Sequence, residues 1–396
     1  AERMGWLPSA PQLTTNPLEI ATAAEAAGLD AAQYVARELK SGGLRMACED
    51  PDAPENFPRV LYVWRANLLG SSGKGHEYFL RHLLGAQNAV IGSDLAAQGA
   101  ELPREARWRD PAPEGKLDLA VTLDFRISSN ALYSDVVLPT ATWYEKDDLN
   151  TTDMHPFIHP FNAAVEPLWE SRTDWDIFKT LARAFSELAA THLGVRKDVV
   201  LTPLLHDTPS ELGQALDARD WKRGECDLVP GKTAPQVTVV ERDYGAVHDR
   251  YIALGPLVER IGIGTKGVSW EAAEDAETLA GLNGRLGTGT TQGRPSLDTG
   301  HRAAQAILTL SPETHGEVAM KAWRSLERST GRLHSHLAQS RAAEHFHFED
   351  LSAQPRKVIT TPTWSGIESE EVSYNASYTN VHELIPWRTL SGRQHF

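Results

Sequence analysis

Cysteine is almost missing from this chain. Of 396 residues only Cys48 and Cys226 carry a thiol, far apart and in no Cys-x-x-Cys pair. Two such thiols build neither a zinc site nor an iron–sulfur cluster, and a reducing compartment is the simpler setting for them. Long apolar runs are missing too. No stretch is long enough to span a bilayer, and the first residues carry no basic-then-apolar leader pattern. Any membrane link is therefore expected to run through a partner. Positive charge is scarce: 39 Lys and Arg against 53 Asp and Glu leave a formal net charge of -14. That balance argues against a general nucleic-acid binder. No initiator Met stands at Ala1, and Val381 to Phe396 mixes apolar and turn-forming residues to its last position. The chain is expected to be a piece of a longer protein.

What remains is an ordinary globular composition, 41% hydrophobic and 23% charged. The length suffices for a large core and two or more structural units. The clearest local signal is Arg59 to Leu84. An apolar, β-rich run, Val60 to Trp64, breaks into a polar loop from Arg65 to His76, with Gly70, Ser71, Ser72, Gly73, Lys74 and Gly75. A helical pattern with Tyr78, Phe79, Leu83 and Leu84 follows. Such a loop suits phosphate, because glycines allow close approach and amides at a helix start favour an anion. Lys74 and Arg65 add full positive charge. A Gly-rich turn with no ligand accounts for the loop equally well. It is not a Walker A sequence, and no GxGxxG opens the helix.

Two further strands are expected at Lys116 to Phe125 and Asp135 to Pro139. The rhythm of strand, helix, strand, short helix and strand predicts an α/β fold built on a parallel sheet. In such sheets ligands sit outside the carboxyl ends of the strands. Those ends are Trp64 to Lys74, Asp124 to Ser128 and Thr140 to Asp153. One helix is expected over Asn16 to Leu39, stopped by Gly42-Gly43, and an amphipathic one over Ser171 to Leu188. Residues 195–300 read as irregular, with 281–293 an exposed loop. Helix is expected again from Ala303 to Leu326, around a break at Ser311-Pro312. His334, His336, His345 and His347 form two His-x-His pairs with no completing carboxylate or thiol, so solvated histidines are expected rather than a metal site.

Glu145, Asp147, Asp148, Asp153, His155 and His159 crowd the stretch after the third strand. Carboxylates there accept hydrogen bonds from a ribose diol or from guanine N–H groups. Helix-capping acids on a proline-fixed surface turn account for the same residues. Acid–base catalysis ranks lower, since no nucleophile or ligand set accompanies them. Asp124 either contacts a ribose or caps the next turn, and Arg126 either meets a phosphate or pairs with Asp124.

At these residues the chain resembles a known family. WRANLLGSSGKGHEYFL from Trp64, VTLDFRISSNALYSDVVLPTATWYEKDDLNTTDMHPFIHPF from Val121 and ELIPWRTLSGRQHF from Glu383 resemble the catalytic alpha subunits of membrane-bound respiratory nitrate reductases. These belong to the molybdopterin oxidoreductase superfamily, which includes dimethyl sulfoxide reductase. KRGECDLVPGKTAPQ at 222–236 and TPTWSG at 361–366 extend the likeness over essentially the whole chain.

The resemblance implies an incomplete α/β molybdopterin oxidoreductase unit with an irregular α+β remainder. It implies molybdenum held by two molybdopterin guanine dinucleotides, and a [4Fe-4S] cluster in the full-length subunit only. Nitrate is reduced to nitrite with quinol electrons, delivered through an iron–sulfur beta subunit and a haem-containing gamma membrane subunit. A dedicated assembly chaperone and a place at the cytoplasmic face of the membrane, held by the partners, are implied as well. The cluster ligands and the molybdenum-ligating carboxylate lie in a part that precedes this stretch, so the piece is not expected to reduce nitrate alone. The implied organisation is a helical lead-in and linker at 1–50 and a dinucleotide-binding α/β unit at 51–195. A remainder at 196–375 and the start of a pterin-binding barrel at 376–396 follow. Carried over by resemblance, Trp64, Arg65, Asn67, Ser71, Ser72 and Lys74 are the first-strand contacts. Asp124, Arg126, Thr140 and Asp153 follow as second- and third-strand contacts, with His155 and His159 lining the cofactor funnel. The family's Thr four residues after the strand-end acid is Ser128 here, whose hydroxyl can substitute. A nicotinamide-type dehydrogenase fragment and a non-catalytic docking module are the rival classes; the first lacks its GxGxxG.

Overall fold

A computed structural model describes residues 13–45, 53–70, 76, 78–85, 115–152, 155–202, 221–230, 234, 236–265 and 268–363. Its centre is a three-stranded parallel sheet of β1 (Val60–Trp64), β2 (Leu119–Asp124) and β3 (Val136–Pro139), in that order. Val60 lies opposite Leu119, and Val121 opposite Val136. The middle strand is buried on both faces, from Ala120 through Leu123, as a run with little polar alternation requires. Val60, Tyr62, Val136 and Val137 on the flanking strands stay exposed.

Order between the strands comes from short elements. After β1 the expected helix is a π-helical turn, Tyr78–Leu83, in which Leu84 N donates to Phe79 O at 3.0 Å. The carbonyls of His82 and Leu83 are then taken by the amides of Lys116 and Leu117, each at 3.0 Å. After β2 comes one helical turn, α3 (Ser129–Leu132). It follows α1 (Pro17–Ala26) and α2 (Ala31–Ser41) in the chain.

The amphipathic helix expected near Ser171 is α4 (Asp174–His192). Thr173 caps it, its hydroxyl accepting from Asp176 N at 3.1 Å. Ile177, Phe178 and Leu181 pack on Val121, Leu123 and Leu138 of the sheet. This packing sets the helix N-terminus beside the carboxyl end of β1.

Two expectations about secondary structure are corrected. The helix expected over Asn16 to Leu39 is two helices, because Gly28 takes φ 67° and Asp30 caps a second start. Its carboxylate accepts from Ala32 N at 2.8 Å and Gln33 N at 3.0 Å. The stretch expected to be irregular, 195–300, carries regular elements. β6 (Val195–Thr202) pairs antiparallel with β7 (Gln236–Asp243), and α1 and α2 pack their Ile20, Val35 and Leu39 on this hairpin. Beyond it lie α5 (Val247–Tyr251), α6 (Pro256–Ile261), the short hairpin β8 (Ile263–Thr265) and β9 (Val268–Trp270), and α7 (Ala273–Asn283).

The break expected at Ser311-Pro312 separates α8 (Gly300–Leu310) from α9 (Gly316–Thr330). The exposed loop expected over 281–293 is corrected at its start: residues 281–283 close α7 and Asn283 is buried, while 287–290 are exposed. A second core joins α8 and α9 to the hairpin of β4 (Asp148–Thr152) and β5 (His155–Phe161). Trp323, Leu308, Leu351 and Ile359 there are fully buried. Each such side chain contributes roughly 1.5–3 kcal/mol. Among the described residues no helix is long and apolar enough to cross a membrane. Residues 376–396, where the start of a barrel is expected, lie outside the described residues.

Candidate functional site

The carboxyl ends of the parallel strands gather polar groups on one edge. Trp64 ends β1, and Arg65 next to it takes φ 54°, a left-handed conformation unusual for a side chain with a Cβ. That turn sends the chain off the sheet. A charge cluster holds it there. Asp174, the first residue of α4, accepts from Trp64 Nε1 at 2.7 Å, Arg65 Nη2 at 3.2 Å and Lys146 Nζ at 2.5 Å. Arg65 Nη2 also donates to Asp148 Oδ2 at 2.8 Å, and Lys146 lies 3.5 Å from the same oxygen. Two cations and two carboxylates thus balance. Asp174 and Lys146 are both buried. Burial pushes the Asp174 carboxyl up, but hydrogen bonds from Lys146 and Trp64 and the charge of Lys146 outweigh it and hold the group below its ordinary value. For Arg65, burial works against the charge, and the carboxylates of Asp148 and Asp174 more than offset it.

Asn130 grips the loop from the other side. It is fully buried on the turn after β2. Its Nδ2 donates to Ala66 O at 3.1 Å, and its Oδ1 accepts from Leu69 N at 3.2 Å. Within the loop, Asn67 Oδ1 accepts from Gly70 N at 2.8 Å. A side chain at position 70 would come within 2.1 Å of the Asn67 amide. Ser71, Ser72 and Lys74 lie outside the described residues.

At the end of β2, Asp124 is half-buried and its Oδ1 accepts from Arg126 N at 3.2 Å. The Arg126 side chain is exposed, its guanidinium 4.6 Å from the centre of the Phe125 ring. Thr140 is buried, and its amide donates to Asp124 O at 3.1 Å. Asp124, Arg126 and Thr140 are thus brought together. Trp64 and Arg65 form the neighbouring group with Asp174. His155 and His159 sit on β5, ring centroids 5.0 Å apart, as a pair of their own. Asp153 lies outside the described residues.

A cavity of about 510 Å³ opens beside the charge cluster. Trp64, Trp175, Phe178, Tyr251 and Ile307 give it mostly apolar walls, and Arg65, Lys146, Asp148 and Asp174 form its polar side. Tyr251 donates to Trp175 O at 3.3 Å. Burial, with Asp176 and Asp174 nearby, pushes its phenol up to about 12, so it remains a donor at neutral pH.

Two family models match the chain. The family model described as molybdopterin oxidoreductase matches residues 11–184, the stretch that builds the parallel sheet and its edge. The model described as nitrate reductase alpha chain, domain V, matches residues 261–382. Residues 11–184 of this chain belong to the molybdopterin oxidoreductase family. It is 59% identical to the respiratory nitrate reductase 2 alpha chain of Escherichia coli strain K12 over 100% of its own length and 32% of that protein's. It is 50% identical to the nitrate reductase alpha chain of Bacillus subtilis strain 168, again over 100% of its length and 33% of the relative's. The nitrate reductase alpha subunit of Mycobacterium tuberculosis strain H37Rv is 48% identical over 100% of this chain and 32% of the relative. The chain thus spans about a third of the length of the curated relatives it matches.

Membership of the molybdopterin oxidoreductases implies a molybdenum–pterin cofactor. The sheet edge fits a polar, phosphate-bearing group. Ser128 Oγ is buried at the end of β2 with no hydrogen-bond partner, an orphan that a bound ligand would satisfy. Asp124 offers acceptors, and Arg126 an exposed cation.

Asp174, Asn130 and Lys146 are not among the site residues the sequence suggests. Only the packing of α4 and of the β2 turn against the loop gives these three their role. The histidine expectation is corrected in part. His334 is buried, while His345 and His347 are half-buried with ring centroids 4.4 Å apart; His336 is exposed. Among the described residues no group of three or more His, Cys, Asp or Glu is arranged to hold a metal ion.

Proposed function

We propose that this chain is part of the molybdenum-dependent catalytic subunit of a respiratory nitrate reductase, and that its sheet edge binds part of a molybdopterin guanine dinucleotide. When bound, that group supplies the two-electron redox chemistry that converts nitrate to nitrite. The residues of this chain bind and orient its nucleotide arm. In this reading the loop from Arg65 to Lys74 cradles the pyrophosphate, using Asn67, Ser71, Ser72 and the charge of Lys74. Asp124 and Asp153 accept from the ribose or guanine, Arg126 and Thr140 complete the second and third strand ends, and His155 and His159 line the approach. Trp64 and Arg65 set the loop's origin.

The single observation that carries the reading is that Asp124, Arg126 and the unpartnered Ser128 hydroxyl stand at the carboxyl end of β2, and Asn67 follows that of β1, on one edge of a parallel sheet. The similarity to nitrate reductase alpha chains supports the substrate. The wider assembly follows the same similarity. Quinol electrons arrive through an iron–sulfur beta subunit and a haem gamma subunit, which hold the subunit at the cytoplasmic membrane face. A dedicated chaperone inserts the cofactor. A [4Fe-4S] cluster belongs to the full-length subunit, outside this stretch. Residues 51–195 form the dinucleotide-binding unit, 1–50 the lead-in, 196–375 the remainder and 376–396 the start of a barrel.

The test uses the assembled full-length enzyme carrying Asp124→Asn or Asn67→Ala. GMP released by acid hydrolysis is measured per folded protein. Both variants are expected to lower it; parental GMP content in both would refute the assignment.

A further inference from the structure

We infer that Asp174 is a positioning residue for the loop that follows β1, fixing it through Trp64 and Arg65; this rests on the proposed cofactor role of that loop. The loop has no strand or helix of its own between Arg65 and Gly70, so side chains must define its path. Arg65 begins it in a left-handed conformation, φ 54°. Such a backbone persists only where its surroundings over-determine it. Two carboxylates do so here: Asp148 Oδ2 takes Arg65 alone at 2.8 Å, while Asp174 takes both Arg65 and Trp64. Asp174 Oδ1 takes the Trp64 indole at 2.7 Å, and Oδ2 takes the Arg65 guanidinium at 3.2 Å. Trp64 also stands edge-on to Phe178 of the same helix, centroids 5.1 Å apart. Its ring is therefore fixed at two points by α4. The Arg65 guanidinium lies 5.3 Å from the Trp64 ring centre, so the two held side chains also hold each other.

The geometry separates this role from simple charge balance. Lys146 is bound to Asp174 at 2.5 Å but touches neither Trp64 nor Arg65 in this network; its other neighbour is Asp148 at 3.5 Å. Lys146 neutralises the buried carboxylate, whereas Trp64 and Arg65 are the groups the carboxylate directs. Lys146 is buried against Asp174, and Arg65 Nη2 is taken by Asp148 and Asp174. The loop's shape, rather than the Arg65 charge, is what Asp174 provides.

The experiment compares four variants of the assembled full-length enzyme: Asp174→Ala, Lys146→Met, the Asp174→Ala/Lys146→Met pair and Asp124→Asn. Melting temperature and GMP content per folded protein are read for each. Asp174→Ala leaves Lys146 buried without its closest partner, so it is expected to lose both stability and, on the order of tenfold, GMP retention. The double variant removes the stranded charge. It is expected to recover melting temperature while GMP retention stays low, because the Trp64 indole has lost its acceptor and Arg65 keeps only Asp148. Lys146→Met alone keeps both of those bonds and is expected to retain GMP. Recovery of GMP together with stability in the double variant overturns the inference, as does parental GMP content in folded Asp174→Ala. In either case a loss in Asp124→Asn leaves the sheet-edge reading standing. Parental GMP in every variant, Asp124→Asn included, removes both.

Discussion

The ring of His345 lies on that of His315, centroids 4.2 Å apart and 20° from parallel, across a bridge between the start of α9 and the segment leading to α11 (Phe348–Ala353). His315 is buried. Its Nδ1 is 3.0 Å from Thr309 O and 3.8 Å from Asp275 Oδ1, and Asp275 is itself bound to Lys321 at 2.8 Å. His345 Nε2 meets the Thr309 hydroxyl at 3.2 Å. With His347 on its other side and Asp350 the one carboxylate drawing a proton, His345 is lowered to about 4 by burial and by the charges His315 and His347 would carry. Stacked imidazoles at this distance cannot share the charged state cheaply.

The consequence is acid sensitivity at this junction. An unfolded His345 takes up a proton near pH 6.5, while the folded one stays neutral until about pH 4. Over that window the unfolded state binds more protons, so the contribution is fully present above the unfolded value and is lost as pH falls through the window. Amide exchange in residues 311–316 is expected to accelerate as pH is lowered, after correction for intrinsic rates. His345→Gln should flatten that rise. Identical pH profiles for parent and variant would contradict the assignment.

Gly316 opens α9 where no side chain fits. A Cβ there would lie 2.1 Å from Arg341 O and 2.6 Å from Ala342 O, both backbone atoms, while its own amide donates to Glu344 O at 2.7 Å. Backbone on this scale cannot rotate away. Gly316→Ala is expected to cost about 2 kcal/mol, despite Ala's better helix propensity. Urea denaturation measures it, and a gain in stability would mean that the 341–344 segment yields easily.

Much of the site's scaffold was legible in the sequence because it is local. Leu119 to Leu123 is apolar but for Thr122, and the chain there is the buried middle strand. Ile177, Leu181 and their neighbours recur at helical spacing, and that face packs on the sheet. The β6–β7 hairpin was not legible. Its strands are joined through residues 203–235, so no tight turn marks it, and Arg196, Lys197 and Asp198 break the apolar run. Asp174 and Asn130 were hidden for a different reason. An acid at a helix start and an asparagine on a turn are what local capping alone would select. Their bonds run to residues 110 and 64 positions away, a relation no local pattern carries.

Asn130 gives the last expectation. It is fully buried, and both ends of its amide are spent on the loop after β1, at Ala66 O and Leu69 N. Leucine at this position has similar bulk but satisfies neither group. Each orphaned backbone group costs on the order of 1–3 kcal/mol unless water reaches it. Asn130→Leu should therefore destabilise the protein by about 2 kcal/mol or more, and amide exchange at Leu69 should rise further than at Val121 on the neighbouring strand. Asn130→Asp keeps the acceptor for Leu69 N and loses the donor to Ala66 O. It should protect the Leu69 amide while still lowering stability. Equal exchange at Leu69 in parent and Asn130→Leu would show that the loop keeps its path without this side chain, held at Trp64 and Arg65 by Asp174 and Asp148.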